Sequence, residues 1–223
     1  MRASILSANS PAPSSVRQSI SIVGHEPEIL ARIYDDLIKI CILQRVLSAG
    51  IKHYAAYLQQ EHIGFELVQP INVTQVGNSL KALLPQHHTR NAFIEDVRWV
   101  VEMFACLFEL EKVGVRLNVL TKTMCPRFHA DKVPCRLITT YAGKGTEWLD
   151  SKAIDRVMLA AYNESKERAD AFAKHYPIQR LQEGDIALFK GEQWDEQEGD
   201  GVIHRSPALD TNETRLLLTL DFA

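Results

Sequence analysis

Two histidines and one aspartate have the residue types and spacing best suited to metal chemistry in this chain. His129 and Asp131 lie two residues apart, and His204 follows in a later short apolar segment. On an extended strand, side chains two residues apart point to the same side. A second histidine from a later strand would complete a face of two histidines and one carboxylate, which leaves positions open on Fe(II) for a co-substrate and O₂. The competing interpretation is a histidine at a strand end that hydrogen-bonds a nearby acid.

Arg215 is the predicted co-substrate anchor. It begins an apolar segment eleven residues after His204, and a planar guanidinium binds a carboxylate through two hydrogen bonds. The alternative is a surface arginine paired with an acid of the loop 192–200. Three further residues near these motifs are candidate substrate contacts, namely Arg127, Tyr141 and Trp148.

Two cysteines flank the His-x-Asp motif and suggest a different metal. Cys125 and Cys135, together with His129 and Asp131, could form a tetrahedral zinc site. Such a four-ligand site would leave His204 unexplained. The alternative function is a metal-binding or metal-handling protein without enzymatic activity that uses His129, Asp131 and His204, possibly with these cysteines. Free cysteines are more often small core residues.

The composition is typical of a cytoplasmic globular protein. Of the 223 residues, 46% are hydrophobic and 24% are charged, and the formal net charge is −3. This charge argues against a nucleic-acid or membrane-surface partner. We therefore expect a small-molecule or protein substrate. The first residues lack the apolar stretch of a secretory signal, so we expect the four cysteines to be reduced.

The hydrophobic patterns predict an α+β protein. Residues 1–24 are rich in Ser, Pro and Ala and predict a flexible leader before a single domain at 25–223. Residues 25–114 are predicted to be mainly helical. Ser48 caps one helix, and a second helical pattern follows Asn91, runs to about Lys112 and is ended by Gly114.

The hydrophobic pattern of residues 115–223 has a different period. Short apolar or alternating segments bounded by Gly, Pro, Asp or Asn predict strands, with one helical insertion at 150–176. The predicted strands cover 115–121, 134–141, 185–191, 201–206 and 215–222. This order favours a β-sandwich or barrel as the core of the C-terminal half.

These motifs resemble those of the Fe(II)/2-oxoglutarate-dependent dioxygenases. The similarity lies in His-x-Asp, the distal histidine, the later arginine and three stretches, CRLITTYAGKGTEW (135–148), GDIALF (184–189) and RLLLTLDF (215–222). It implies N-terminal helices packed on a C-terminal double-stranded β-helix, a jelly-roll or cupin-like core.

The same resemblance implies a chemistry. Fe(II) would be held by His129, Asp131 and His204, with 2-oxoglutarate at Arg215, and a substrate would be hydroxylated. Where the dioxygenases often have Ser two residues after the arginine, this chain has Leu217. The whole chain is also similar to an uncharacterised bacterial family, domain of unknown function 1826, that shares Met-Cys-Pro-Arg-Phe-His-x-Asp and Gly-Thr-Glu-Trp.

Overall fold

The computed structural model of this protein describes residues 20–150, 154–164, 176–194 and 201–223. The helices are α1 (Ala49–Glu61), α2 (Val76–Leu83), α3 (Arg90–Phe108) and α4 (Arg156–Glu164), with 3-10 helices at Pro27–Tyr34 and Val73–Gln75. The strands are β1 (Ser21–Gly24), β2 (Ile40–Leu43), β3 (Glu66–Asn72), β4 (Lys112–Leu120), β5 (Cys135–Ala142), β6 (Glu147–Leu149), β7 (Ile178–Arg180), β8 (Ile186–Lys190), β9 (His204–Arg205) and β10 (Arg215–Phe222).

The strands form a large and a small sheet. The large sheet has seven strands in the order β1-β2-β8-β5-β10-β4-β3, and the small sheet has three in the order β7-β6-β9. From β5 onwards the chain passes repeatedly from one sheet to the other. Neighbouring strands are antiparallel, apart from the parallel pair β1 and β2. This alternation is the winding of a double-stranded β-helix, or jelly-roll.

Strand alternation gives the large sheet two different faces. Its outer face carries Leu137, Leu188 and Leu218, which share one buried cluster with side chains of α1 and α3. Its inner face carries apolar side chains that share a second cluster with Trp148 of the small sheet. The volume between the inner face and the small sheet, here called the inter-sheet space, contains the candidate site described below.

The two predicted N-terminal helices are present. The Ser48 hydroxyl accepts a hydrogen bond from the Ile51 backbone N–H at 3.5 Å and caps α1. The second helix, α3, stops earlier than predicted. It ends at Phe108, followed by Glu109 in the left-handed region at φ 54°, whereas Gly114 lies inside β4. The prediction that Gly114 ends this helix is therefore wrong.

The prediction of a flexible leader over residues 1–24 is also wrong for its last residues, 20–24. Ile20 is only 2% exposed, and β1 pairs with β2 from Ser21 to Gly24, because burying this apolar segment offsets the cost of ordering it. Residues 1–19 lie outside the described residues. The sheet also begins before residue 115, since β1, β2 and β3 join it.

The predicted insertion at 150–176 contains α4, while 151–153 and 165–175 are outside the described residues. In the described part of the chain, every helix is too short or too polar to cross a membrane.

Candidate active site

A backbone bridge brings the two histidines together. The N–H of His129 donates to the carbonyl of His204 at 3.0 Å, and the N–H of His204 donates back at 2.9 Å. The side-chain amide of Asn163 in α4 bonds both the N–H and the carbonyl of Phe128, at 3.0 and 2.9 Å. The chain that precedes His129 is therefore fixed from two sides, by β9 and by α4.

His129, Asp131 and His204 form a compact cluster at the edge of the inter-sheet space. One ligand atom from each residue lies within 4.8 Å of the others, and no other group of this kind occurs among the described residues. His129 Nε2 is 3.6 Å from Asp131 Oδ1, and His204 Nε2 is 3.2 Å from Asp131 Oδ2. The predicted ligands thus lie together, with His129 the most exposed of the three, its side chain 36% accessible.

The orientation of both imidazole rings suits a metal. His129 Nδ1 is 2.9 Å from the carbonyl oxygen of Arg127, and His204 Nδ1 is 3.1 Å from that of Val202. Because a carbonyl only accepts, each Nδ1 carries a proton, and each Nε2 faces the Asp131 carboxylate, where its lone pair would bind a metal. This is how metal-binding histidines are usually held.

Arg136 connects the Asp131 carboxylate to a second acid. Its Nη1 lies 2.9 Å from Asp131 Oδ2, while its Nε and Nη2 donate to the two carboxylate oxygens of Asp221 at 2.7 and 2.8 Å. Burial alone would raise the pKa of Asp131, but contacts with both histidines and the charge of Arg136 outweigh it and hold that pKa well below its usual range. The carboxylate in turn raises the pKa of His129.

The donor set fits a divalent cation. Asp131 Oδ2 is buried and has no hydrogen-bond partner, since neither Arg136 nor His204 approaches it at a hydrogen-bonding angle. Two lone pairs from neutral imidazoles and one carboxylate converge here, which is the ligand set of non-haem Fe(II) sites. A bound cation would satisfy the unpaired oxygen.

Arg215 is buried on the inner face, and no acid in the described part of the chain pairs with it. Its side chain is among the largest fully buried ones, at 1% exposure. Its guanidinium donates only to hydroxyls, to Thr140 Oγ1 at 2.9 and 3.3 Å and to Thr146 Oγ1 at 2.7 Å. Burial lowers its pKa to about 10. A buried cation that meets only neutral acceptors is suited to receive a carboxylate.

The structure separates the three candidate substrate contacts. Arg127 is exposed, and its carbonyl orients His129. Tyr141 lies on the outer face, where its hydroxyl donates to Asp96 Oδ2 at 2.6 Å. It faces away from the inter-sheet space, so its prediction as a substrate contact is wrong. Trp148 does face that space, directly opposite His204 in the register of β6 and β9.

The cysteines do not complete a zinc site. Cys125 is exposed and Cys135 is buried, and neither belongs to the ligand cluster found in the described residues. Cys135 packs into the helix-facing core, where burial raises the pKa of its thiol. The geometry therefore does not favour the four-ligand zinc alternative.

Comparison with solved structures identifies the fold. The dioxygenase for auxin oxidation 1 of Arabidopsis thaliana, in its 2-oxoglutarate complex, is 11% identical over 92% of both chains, with a TM-score of 0.54. JOX2 in complex with 2-oxoglutarate, iron and JA has a TM-score of 0.49 at 11% identity, covering 98% of this chain and 80% of the other. A Pseudomonas putida prolyl-4-hydroxylase has a TM-score of 0.45 at 11% identity, covering 88% and 97%. The inference rests on the first match, which shows that this protein has the double-stranded β-helix fold of a 2-oxoglutarate-binding dioxygenase.

The sequence itself places the chain in one family. The profile of the family described as protein of unknown function, DUF1826, matches residues 24–221, so the protein belongs to this family. No curated protein matches its sequence significantly.

Proposed function

We propose that this protein is a non-haem Fe(II)- and 2-oxoglutarate-dependent oxygenase that hydroxylates a small-molecule or protein substrate. The observation that carries the proposal is the buried Arg215, which meets no acid among the described residues and lies in the same inter-sheet space as the histidine–aspartate cluster. A metal site alone would not require it.

Strand β6 connects the two ends of this space. Trp148 stands opposite His204, and Thr146, two residues earlier and just before β6, contacts Arg215. Two residues of strand span about 7 Å. A short dicarboxylate can therefore reach from the predicted metal position to the guanidinium, which favours 2-oxoglutarate as the co-substrate.

The proposed roles follow from these positions. His129, Asp131 and His204 would hold the metal, and Arg215, supported by Thr140 and Thr146, would bind the distal carboxylate. When bound, Fe(II) and 2-oxoglutarate supply the O₂ activation needed to hydroxylate a C–H bond. The apolar side chains of the inner face would exclude water from that chemistry.

The core cluster shared by α1, α3 and the large sheet supports a single domain with N-terminal helices packed on the jelly-roll. Because β1 joins the large sheet, this domain begins before the predicted residue 25. The net charge of −3 supports a substrate other than nucleic acid. We also propose a cytoplasmic location.

Metal and co-substrate binding test the proposal together. Under anaerobic conditions, calorimetry should show tight binding of 2-oxoglutarate only after Mn(II), used in place of Fe(II), has been added. We expect Asp131→Ala to weaken Mn(II) binding at least a hundredfold, because it removes the one anionic ligand. The control variant is His53→Ala, which replaces an exposed histidine outside the cluster and should leave Mn(II) affinity unchanged. Equal Mn(II) affinity in Asp131→Ala and wild type would exclude the assigned site.

A further inference from the structure

Trp148 has a buried polar atom that the folded chain leaves unused. The residue is only 6% exposed and belongs to the apolar cluster between the two sheets. Its ring packs edge-on against Phe189 of the inner face, with 6.3 Å between centroids. Its indole Nε1–H has no hydrogen-bond partner among the residues that the structure describes. A buried tryptophan normally gives this proton to an acceptor, so the free donor requires an explanation.

The position of this donor points to a ligand. On one side of Trp148 lies His204, whose ring is 5.3 Å from the same Phe189. On the other side, Thr146, just before β6, holds Arg215. Trp148 therefore lies along the chain between the residue that holds the guanidinium and the position paired with His204.

A polar contact is also missing on the opposite wall. Two residues after Arg215, the inner face carries Leu217, which is buried in the same cluster and offers no hydrogen-bonding group. The position next to Arg215 on the inner face of β10 therefore gives no second polar contact, and Trp148 of the facing sheet has a donor to offer.

We propose that the indole N–H of Trp148 donates a hydrogen bond to an oxygen of 2-oxoglutarate and is its second polar anchor, from the sheet opposite Arg215. This inference rests on the proposed function. Trp148 is then a co-substrate-binding residue, and not the substrate contact that its place in the sequence suggests.

Indole NMR tests this contact directly. The chain has three tryptophans, so ¹⁵N-labelled protein gives three indole signals, each assignable with a Trp→Phe variant. In protein loaded with diamagnetic Zn(II), 2-oxoglutarate should shift the Trp148 N–H downfield and slow its exchange with water. The signals of Trp99 and Trp194 should stay in place.

Affinity supplies the second readout. Trp148→Phe keeps an aromatic ring but removes the donor, so the Kd for 2-oxoglutarate should rise about tenfold while Zn(II) affinity is unchanged. Trp194→Phe is the matched control. If 2-oxoglutarate binds but neither the Trp148 signal nor this Kd changes, the inference is overturned and the proposed function stands. If 2-oxoglutarate does not bind the metal-loaded protein, both are overturned.

Discussion

Replacing Arg215 by methionine separates a binding role from a structural one. The guanidinium is fully buried and donates only to the hydroxyls of Thr140 and Thr146. Burial lowers its pKa from 12.5 to about 10, which means that the fold disfavours the charged form. Without an anion, this charge destabilises the folded state.

The cost of burying the Arg215 charge determines how much Arg215→Met should change stability. A pKa lowered from 12.5 to about 10 corresponds to about 3 kcal/mol. Arg215→Met removes this cost, but the three hydrogen bonds to the two threonine hydroxyls, worth about 1 kcal/mol each, are lost with it. The ligand-free variant should therefore be about as stable as wild type. The variant also loses the hydrogen bonds between the guanidinium and the carboxylate of 2-oxoglutarate, worth about 3 kcal/mol. Because 1.4 kcal/mol corresponds to a factor of ten, binding should weaken about a hundredfold.

Urea unfolding without ligands and calorimetry with Mn(II) measure these two quantities. Arg116→Met is the matched control, since Arg116 lies on the neighbouring strand β4 with half of its side chain exposed. A destabilised Arg215→Met protein with unchanged 2-oxoglutarate affinity would show that Arg215 is structural, and it would refute this reasoning.

Four further variants test other parts of the account. Arg136→Met removes the cation that joins Asp131 to Asp221, so urea unfolding should show a loss of about 3 kcal/mol, partly restored by Mn(II); a loss that Mn(II) does not reduce would contradict the assigned ligands. Burial raises the pKa of Glu147, but the contacts with Arg180 and Arg205 outweigh burial, so the pKa lies below its usual value. Glu147→Gln should therefore cost about 2 kcal/mol at neutral pH, and the difference should shrink as the pH falls below about 4; a pH-independent difference would argue against this ion pair. Tyr141→Phe should cost about 1–2 kcal/mol without changing 2-oxoglutarate affinity, and a weaker affinity would return Tyr141 to the site. Cys125→Ser should leave metal binding intact, whereas loss of stoichiometric zinc would favour the thiolate alternative.

Strands with a strict pattern and clear boundaries were predictable from the sequence. The segment 215–222 is apolar, follows polar turn residues and forms β10 over the same residues. The spacing of His129 and Asp131 brings both side chains to one centre, as period two requires. Strand β3 was harder to predict. Pro70 and an alternation of exposed and buried positions give β3 mixed signals, and β3 tolerates the proline because it is an edge strand.

Contacts between distant strands could not be read from the sequence. Tyr141 and Thr140 are adjacent in β5, so one of them must face inwards, but only the packed sheets show that it is Thr140. The Arg136 bridge between Asp131 and Asp221 depends on the register of β5 and β10. Asn163 reaches Phe128 from a separate helix. Each of these contacts is set by tertiary packing and has no local sequence signal.

Succinate formation tests the central claim most directly. The reconstituted protein, supplied with Fe(II), 2-oxoglutarate and O₂, should slowly convert 2-oxoglutarate to succinate even without its substrate. This turnover should disappear when Fe(II) is omitted and in His204→Ala, and it should persist in the control His53→Ala. A wild-type protein that binds Fe(II) but forms no succinate, or forms it equally well as His204→Ala, would contradict the oxygenase assignment.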